Sequence, residues 1–131
     1  MAGAGDPSTV ALPIKGACHC GAVTFEMSVQ PRHAVACNCS ICRSLGTVWG
    51  HGGPGTIVIS AEPDATIRYS RGERQLAFHT CKICGSTTHW EAIAGDAKGR
   101  MAVNLCLAPP GTIEAIGLRH FDGAETWSFL D

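Results

Sequence analysis

Seven of the eight cysteines in this chain fall into short runs. Cys18 and Cys20 form a C-x-C pair, Cys37, Cys39 and Cys42 a C-x-C-x-x-C run, and Cys81 and Cys84 a C-x-x-C pair; Cys106 stands alone. Thiols this close along a chain cannot easily bridge to one another, but they can grip one ion together. Disulfides would be the reading for a secreted domain, and dithiols of this kind can also serve redox exchange. The N-terminal stretch has neither the basic start nor the apolar run of a secretory signal. A reducing cytoplasm is therefore expected, and metal binding is the favoured chemistry.

The runs divide into a set of four and a set of three. Each pair is followed by a glycine, Gly21 and Gly85, which permits the tight turn that aims two thiolates at one ion. A structural zinc takes four ligands and each pair offers two, so Cys18, Cys20, Cys81 and Cys84 are expected to close a four-cysteine site. That site would tie the start of the domain to its middle across roughly 60 residues. Cys37, Cys39 and Cys42 offer three ligands from one local loop. Three protein ligands and an open position are the pattern of a catalytic zinc. A fourth ligand from Cys106, His51, His79 or His89 is an alternative, as is a grouping of Cys18 and Cys20 with the Cys37 run. Two zinc ions per chain are expected. Three thiolates donate heavily and leave zinc a weak Lewis acid, better matched to an incoming thiol than to hydroxide formation.

These ligands have to be positioned by strands. Period-2 alternation runs through residues 22–29, with Val23, Phe25, Met27 and Val29 on one face, and through 65–70, with Ile67 and Tyr69 opposite Thr66, Arg68 and Ser70. Shorter strand signals cover 56–60, 75–79, 101–107 and 125–130, and Trp49 is expected on the strand that follows Cys42. Turns are expected at 52–55, 62–64, 71–73, 95–96 and 109–111. Helical periodicity is absent except for short turns near 40–44 and 111–116. The expected class is mostly β: short strands, long loops and metal staples that compensate for a thin core.

The bulk composition bounds the rest. The chain has 131 residues, 45% hydrophobic and 16% charged, with a net charge of −1. That is one globular domain with no general attraction to nucleic acid or anionic lipid. No apolar run approaches the ~18 residues that would span a bilayer. Residues 1–13 are read as a flexible tail and 14–131 as the domain. Exposed strand edges would make a homodimer feasible.

The ordered motifs Cys18-x-Cys20-Gly21-x-Val23, Cys37-x-Cys39-x-x-Cys42-Arg43 and Phe78-x-x-Cys81-x-x-Cys84-Gly85-Ser86 resemble the glutathione-dependent formaldehyde-activating enzyme family, which includes the centromere protein V-like domains. The resemblance covers about residues 14–130, and Arg119-His120-Phe121 with Glu125-Thr126-Trp127 is similar to the family's ending. It implies an Mss4-like fold of folded antiparallel sheets stapled by zinc. It implies a structural zinc on Cys18, Cys20, Cys81 and Cys84 and a catalytic zinc on Cys37, Cys39 and Cys42. It also implies carbon–sulfur lyase chemistry on a thiol adduct such as S-hydroxymethylglutathione, with a small-molecule thiol such as glutathione as partner. Where the family often carries an arginine, Val103-Asn104-Leu105-Cys106-Leu107 has none.

Other residues carry weaker signals. Arg43 follows the open-site cysteines and could lower a thiolate pKa or hold a substrate carboxylate. Trp49 fills core or walls a ligand pocket, and His51 is a proton carrier in one reading and a strand residue in the other. Cys106 reads as a buried small hydrophobe. The Gly52–Gly55 segment precedes no helix pattern and is a turn, not a phosphate cradle. Two other functions compete with the enzyme: a zinc-stapled β binding module, and a thiol–zinc redox sensor.

Overall fold

The structure, a computed structural model, describes residues 10–70, 75–95 and 99–131. The turn expected at 71–73, Asp96 of the turn at 95–96 and residues 1–9 of the tail lie outside the described residues.

Strands β1 (Ile14–Ala17), β2 (Val23–Met27) and β5 (Ile57–Ala61) form a three-stranded sheet in the order β1-β2-β5. A second sheet of eight strands has the order β11-β10-β3-β4-β9-β8-β7-β6. Its members are β3 (Ala34–Cys37), β4 (Trp49–Gly52), β6 (Thr66–Tyr69), β7 (Leu76–Cys81), β8 (Thr87–Ala92), β9 (Met101–Asn104), β10 (Leu118–Asp122) and β11 (Ser128–Phe129). Two short helices, α1 (Ser40–Leu45) and α2 (Thr112–Ile116), sit where short helical turns were expected. The mostly β class holds. The pairing is antiparallel throughout the described ladders except for one: β10 runs parallel to β3, with Phe121 opposite Cys37. Among the described residues no helix is long and apolar enough to cross a membrane.

Alternation accounts for β2. Val23, Phe25 and Met27 are buried while Glu26 is exposed, and the expected continuation to Val29 fails because the strand ends at Met27 and Val29 turns outward. Ile67 and Tyr69 alternate as expected, yet both stand exposed on β6, the edge strand of the large sheet. The strand expected over 101–107 stops at Asn104. The Asn104 side-chain oxygen accepts from the Cys106 N–H and caps a 3-10 turn at Leu105–Leu107. That turn buries Leu105 and leaves Cys106 exposed, so Cys106 is not the buried hydrophobe expected of it. The strand expected over 125–130 shrinks to β11, because Asp122 gathers the preceding residues into a loop.

The two sheets enclose the main core. Ile14, Phe25, Met27 and Ile57 from the small sheet meet Ala34 and Val103 from the large one, with Leu105 and Ile116 closing the end. Val10 also packs here, and its N–H donates to Gln30 Oε1 at 3.0 Å. The other face of the large sheet carries Trp49, Phe78, Trp90 and Ala102, with Cys42 packed against them. Successive residues of β9 thus serve opposite sides, Val103 between the sheets and Ala102 beneath the second face.

Phe25 is 2% exposed at the centre of the inter-sheet core. Phe25→Ala should cost about 3 kcal/mol through lost burial and an unfilled cavity, read as a lower urea midpoint at unchanged slope.

Candidate metal centres

Two hairpin turns meet at one end of the molecule. Cys18 to Gly21 connect β1 to β2, and Cys81 to Gly85 connect β7 to β8. The turns share a hydrogen-bond pattern. Gly21 N–H donates to the Cys18 carbonyl and Gly85 N–H to the Cys81 carbonyl, both at 3.0 Å. Cys18 N–H reaches the Val23 carbonyl and Cys81 N–H the Ser86 carbonyl, both at 2.9 Å. Gly21 and Gly85 sit at φ 84° and 80°, a left-handed conformation that costs any other residue strain. The result is four sulfurs within 4.8 Å of one another. Cys20 Sγ lies 3.7 Å from Cys18 Sγ and 3.6 Å from Cys81 Sγ. Four sulfurs at ~2.3 Å from a tetrahedral zinc stand about 3.8 Å apart, so this donor set fits zinc.

The local electrostatics prepare part of this set for a cation. The Ser86 hydroxyl and N–H bring the Cys84 thiol down to about 5. N–H groups of Cys84 and Ile83 lower Cys81. Cys20 moves the other way: the Ala22 N–H pulls it down, but lost hydration and the crowded sulfurs of Cys81, Cys18 and Cys84 raise it to about 11.

The second group is built from one continuous segment. Cys37 ends β3, Cys39 is the N-cap of α1, and Cys42 lies within the helix with its side chain turned inward. Their sulfurs also lie within 4.8 Å of one another. Burial pushes the Cys42 thiol up, against the opposing pull of the Trp49 indole N–H, which donates to its sulfur at 3.3 Å. Burial raises Cys37 as well. Burial would also raise Cys39, but the Cys42 N–H, the neighbouring thiols and the Ile41 N–H outweigh it and its pKa falls.

Among the described residues no fourth His, Cys, Asp or Glu joins this group. His79 is occupied on both nitrogens, by Thr66 Oγ1 at 2.7 Å and Glu91 Oε2 at 2.6 Å. His89 stacks on it at 4.3 Å and bonds Thr88 Oγ1 through Nδ1. Cys106 is exposed on its 3-10 turn, apart from both groups. Cys18 and Cys20 lie with Cys81 and Cys84, not with the Cys37 run.

A loop from β10 closes over the three thiols. Asn38 Nδ2 donates to Asp122 Oδ1 at 3.0 Å, and the Ala124 N–H donates to Asn38 Oδ1 at 3.0 Å. Asp122 also accepts from the Thr126 hydroxyl and from the N–H groups of Thr126 and Glu125. These donors, Asn38 foremost, hold its carboxyl down at about 2. The loop brings Gly123 so near that a Cβ there would stand 2.6 Å from Cys37 Sγ.

The three thiols lie at the edge of a cavity of about 850 Å³. Trp49, Phe78 and Trp90 line it from β4, β7 and β8 of the large sheet, Phe121 and Phe129 from β10 and β11 of the same sheet, and Trp127 from the loop between those two strands. Arg32, His33, His51, Gln75 and Arg100 supply its polar lining beyond the cysteines. Trp49 thus both fills core and walls the cavity. Arg43 does not line it: the side chain is exposed in the last turn of α1, with Nε donating to the Asn38 carbonyl at 2.9 Å.

Residues 13–119 match the family described as glutathione-dependent formaldehyde-activating enzyme. The chain belongs to that family. Its fold is similar to that of a solved Rhodobacter sphaeroides protein, a structural-genomics target, with a TM-score of 0.66. The two are 24% identical over 80% of this chain and 99% of the other, a likeness that speaks to fold alone. No curated protein matches the chain.

Set against the family's cysteine signature, the cavity lining is what the sequence reading missed. Arg32 with His33, Gln75 and Arg100 come from three places along the chain, and no local pattern marks them. Asn38 and Asp122 are 84 positions apart and were equally invisible. Gly123 lies between two segments similar to the family's ending, the one signal the sequence offers there, and its proximity to Cys37 emerges only in the fold.

Gly123→Ala should force Cys37 Sγ aside. In zinc-loaded protein the expected result is loss of metal from the three-cysteine group to a mild chelator, at unchanged circular dichroism, while any ion on the four cysteines stays.

The half-buried His51 and the buried His89 set a pH window. Burial, then the charge of Arg100, lowers His51 from 6.5 to about 4. Burial, then His79, lowers His89 to about 3. Both fold neutral, so the unfolded chain binds more protons below pH 6.5. Their contribution to stability is complete above that value and is lost as pH falls toward 4 and then 3. In an NMR titration of the folded protein both rings should remain neutral at pH 5.5; an imidazolium signal from either ring at that pH would contradict the assignment.

Proposed function

We propose that the chain is a zinc-dependent enzyme of carbon–sulfur bond chemistry, acting on the adduct of a small thiol and formaldehyde or a similar carbonyl. Family membership supports the reaction class. The observation that carries the reading is the contrast between the two sulfur groups. One is a closed set of four between hairpin turns; the other is a set of three facing a large cavity. A purely structural pair of sites has no use for that difference.

Zinc held by three thiolates supplies a soft coordination position that favours a fourth, substrate sulfur as thiolate. The chain's own groups do the rest. The Trp49 indole N–H fixes Cys42, and the loop held by Asn38 and Asp122 covers Cys37. The aromatic side chains give the reacting carbon an apolar surrounding. In the forward direction the thiol sulfur bonds the carbonyl carbon and the thiol proton ends on the carbonyl oxygen; the reverse releases both reactants. His51 lines the cavity in its neutral form, so it offers an N–H to the carbonyl oxygen rather than a stored proton. Arg43, tied to Asn38, acts as a positioning residue for the cysteine loop.

The test uses isotopically labelled formaldehyde with glutathione and simpler thiols, following adduct exchange by NMR. The zinc-loaded protein should accelerate exchange. Cys42→Ser should keep its fold, lose one of two zincs and lose the acceleration by on the order of 100-fold or more. A Cys42→Ser variant that unfolds, from a parent that never accelerated exchange, would instead identify a zinc-stapled binding module.

A further inference from the structure

The arginines near the cavity divide by what they already hold. Arg43 Nε donates to the Asn38 carbonyl, and Arg119 Nε donates to the Asp131 carbonyl while its guanidinium lies over the Phe129 ring. Arg32 and Arg100 have no such task. Both are exposed, both line the cavity, and among the described residues neither guanidinium makes a hydrogen bond or an ion pair. A guanidinium presents its N–H donors in a planar fork that fits a carboxylate through two parallel bonds. Two such forks on one cavity can hold two carboxylates.

The strand registers set their spacing. Val35, Trp49 and Asn104 stand in one row across β3, β4 and β9. Along the chain, Cys37 lies beyond Val35 in one direction and Arg32 in the other. Met101 pairs with Gly52 at that far end, and Arg100 precedes it. The two arginine backbones are therefore two strand spacings apart, ~10 Å, and Arg32 is ~16 Å along the chain from Cys37. The two ends also differ in charge. Three thiolates on a divalent zinc would leave a net negative charge that repels a carboxylate, while the arginines attract it. A thiol that carries carboxylates is thereby turned sulfur-first toward the cysteines. The other polar lining suits a peptide. His51 is neutral and Gln75 is an amide, so both offer donors and acceptors to peptide groups. His33 is engaged, its ring edge-on to Phe129 and its Nε2 3.4 Å from Arg119 Nη1.

We infer that Arg32 and Arg100 form a two-point clamp that selects a thiol with two carboxylates, one at each arginine, and directs its sulfur to Cys37, Cys39 and Cys42. The inference rests on the thiol-adduct reading above and names the residues that choose the thiol. Glutathione meets the requirement. Its carboxylates sit at the two ends of a three-residue chain, about 10 Å apart when extended, with the sulfur on the middle residue.

The zinc-loaded protein is titrated calorimetrically with glutathione, its glycyl ethyl ester, N-acetylcysteinylglycine and S-methylglutathione. The ester and the acetylated dipeptide each keep one of the two carboxylates. Arg32→Gln and Arg100→Gln should each weaken glutathione about tenfold, the scale of a lost charge-assisted hydrogen bond, at unchanged circular dichroism. Arg32→Gln should weaken one of the single-carboxylate thiols and spare the other, and Arg100→Gln should do the reverse. Arg68→Gln, on the exposed edge strand β6 and outside the cavity, should leave all four ligands unchanged. Losses below about threefold, losses matched by Arg68→Gln, or both cavity variants acting on the same single-carboxylate thiol would overturn the clamp and leave the thiol-adduct reading standing. S-methylglutathione binding as tightly as glutathione would sink the thiol-adduct reading, while selective arginine losses would still uphold the clamp. If glutathione does not bind the parent protein at all, the clamp falls.

Discussion

Four sulfur atoms crowd within 4.8 Å of one another at the tips of two hairpins that belong to different sheets. Left as thiols they would satisfy few hydrogen bonds, and left as thiolates they would repel. A divalent cation would resolve both problems, and in doing so it would fasten the β1–β2 hairpin to the β7–β8 hairpin. The core between the sheets is small. Its buried members are Ile14, Phe25, Met27, Ala34, Ile57, Val103, Leu105 and Ile116. A domain of this size gains from a link that closes roughly 60 residues of chain, because the unfolded ensemble loses entropy that the native state does not.

That fastening has a geometric consequence for the second sulfur group. With one face of the large sheet committed to the small sheet, its other face is free to carry the cavity. Each strand then serves both roles by alternation. Val103 packs between the sheets and Ala102 lies beneath the cavity floor; His33, Val35 and Cys37 all line the cavity from alternate positions of one segment. The parallel pairing of β10 with β3 matters for the same reason. It delivers Phe121 opposite Cys37, and so sets the following loop, with Gly123 and Trp127, directly over the three thiols.

How far this could be read in the sequence follows from what each feature depends on. The cysteine groups are local signals: spacing and the glycines after each pair already separate four from three. β2 was legible because one face is buried and the other is wet. β3 and β8 were not, because β8 carries buried residues on both faces through Thr87, Thr88, His89 and Trp90, and β3 through Ala34 and Val35, so neither alternates. Cys106 was misjudged because continuing the period-2 pattern past Asn104 ignored the capping ability of that side chain, which ends the strand and rotates the thiol outward. Arg43 was the obvious cation next to the cysteines. Its α1 position points it away, and the cations that line the cavity come from sites whose proximity only the tertiary fold creates.

The two sulfur groups also differ in how they meet a metal. A thiol must lose its proton to become a ligand, so the cost of loading a site rises with the pKa of its members. In the four-cysteine group, backbone N–H groups and the Ser86 hydroxyl stabilise charge on Cys81 and Cys84 before any ion arrives, while Cys20 is held up. In the three-cysteine group burial dominates at Cys37 and Cys42, and one Trp49 N–H does not offset it. Two of the three thiols in the second group therefore lose a proton from a less favourable position, with one fewer ligand to repay the cost. Weaker and more pH-dependent metal binding is expected from the burial that raises Cys37 and Cys42. Burial strengthens a thiolate's interaction with a cation once loaded and makes the loading harder, so how readily an ion would leave this group depends on the surroundings of its thiols as much as on the number of its ligands.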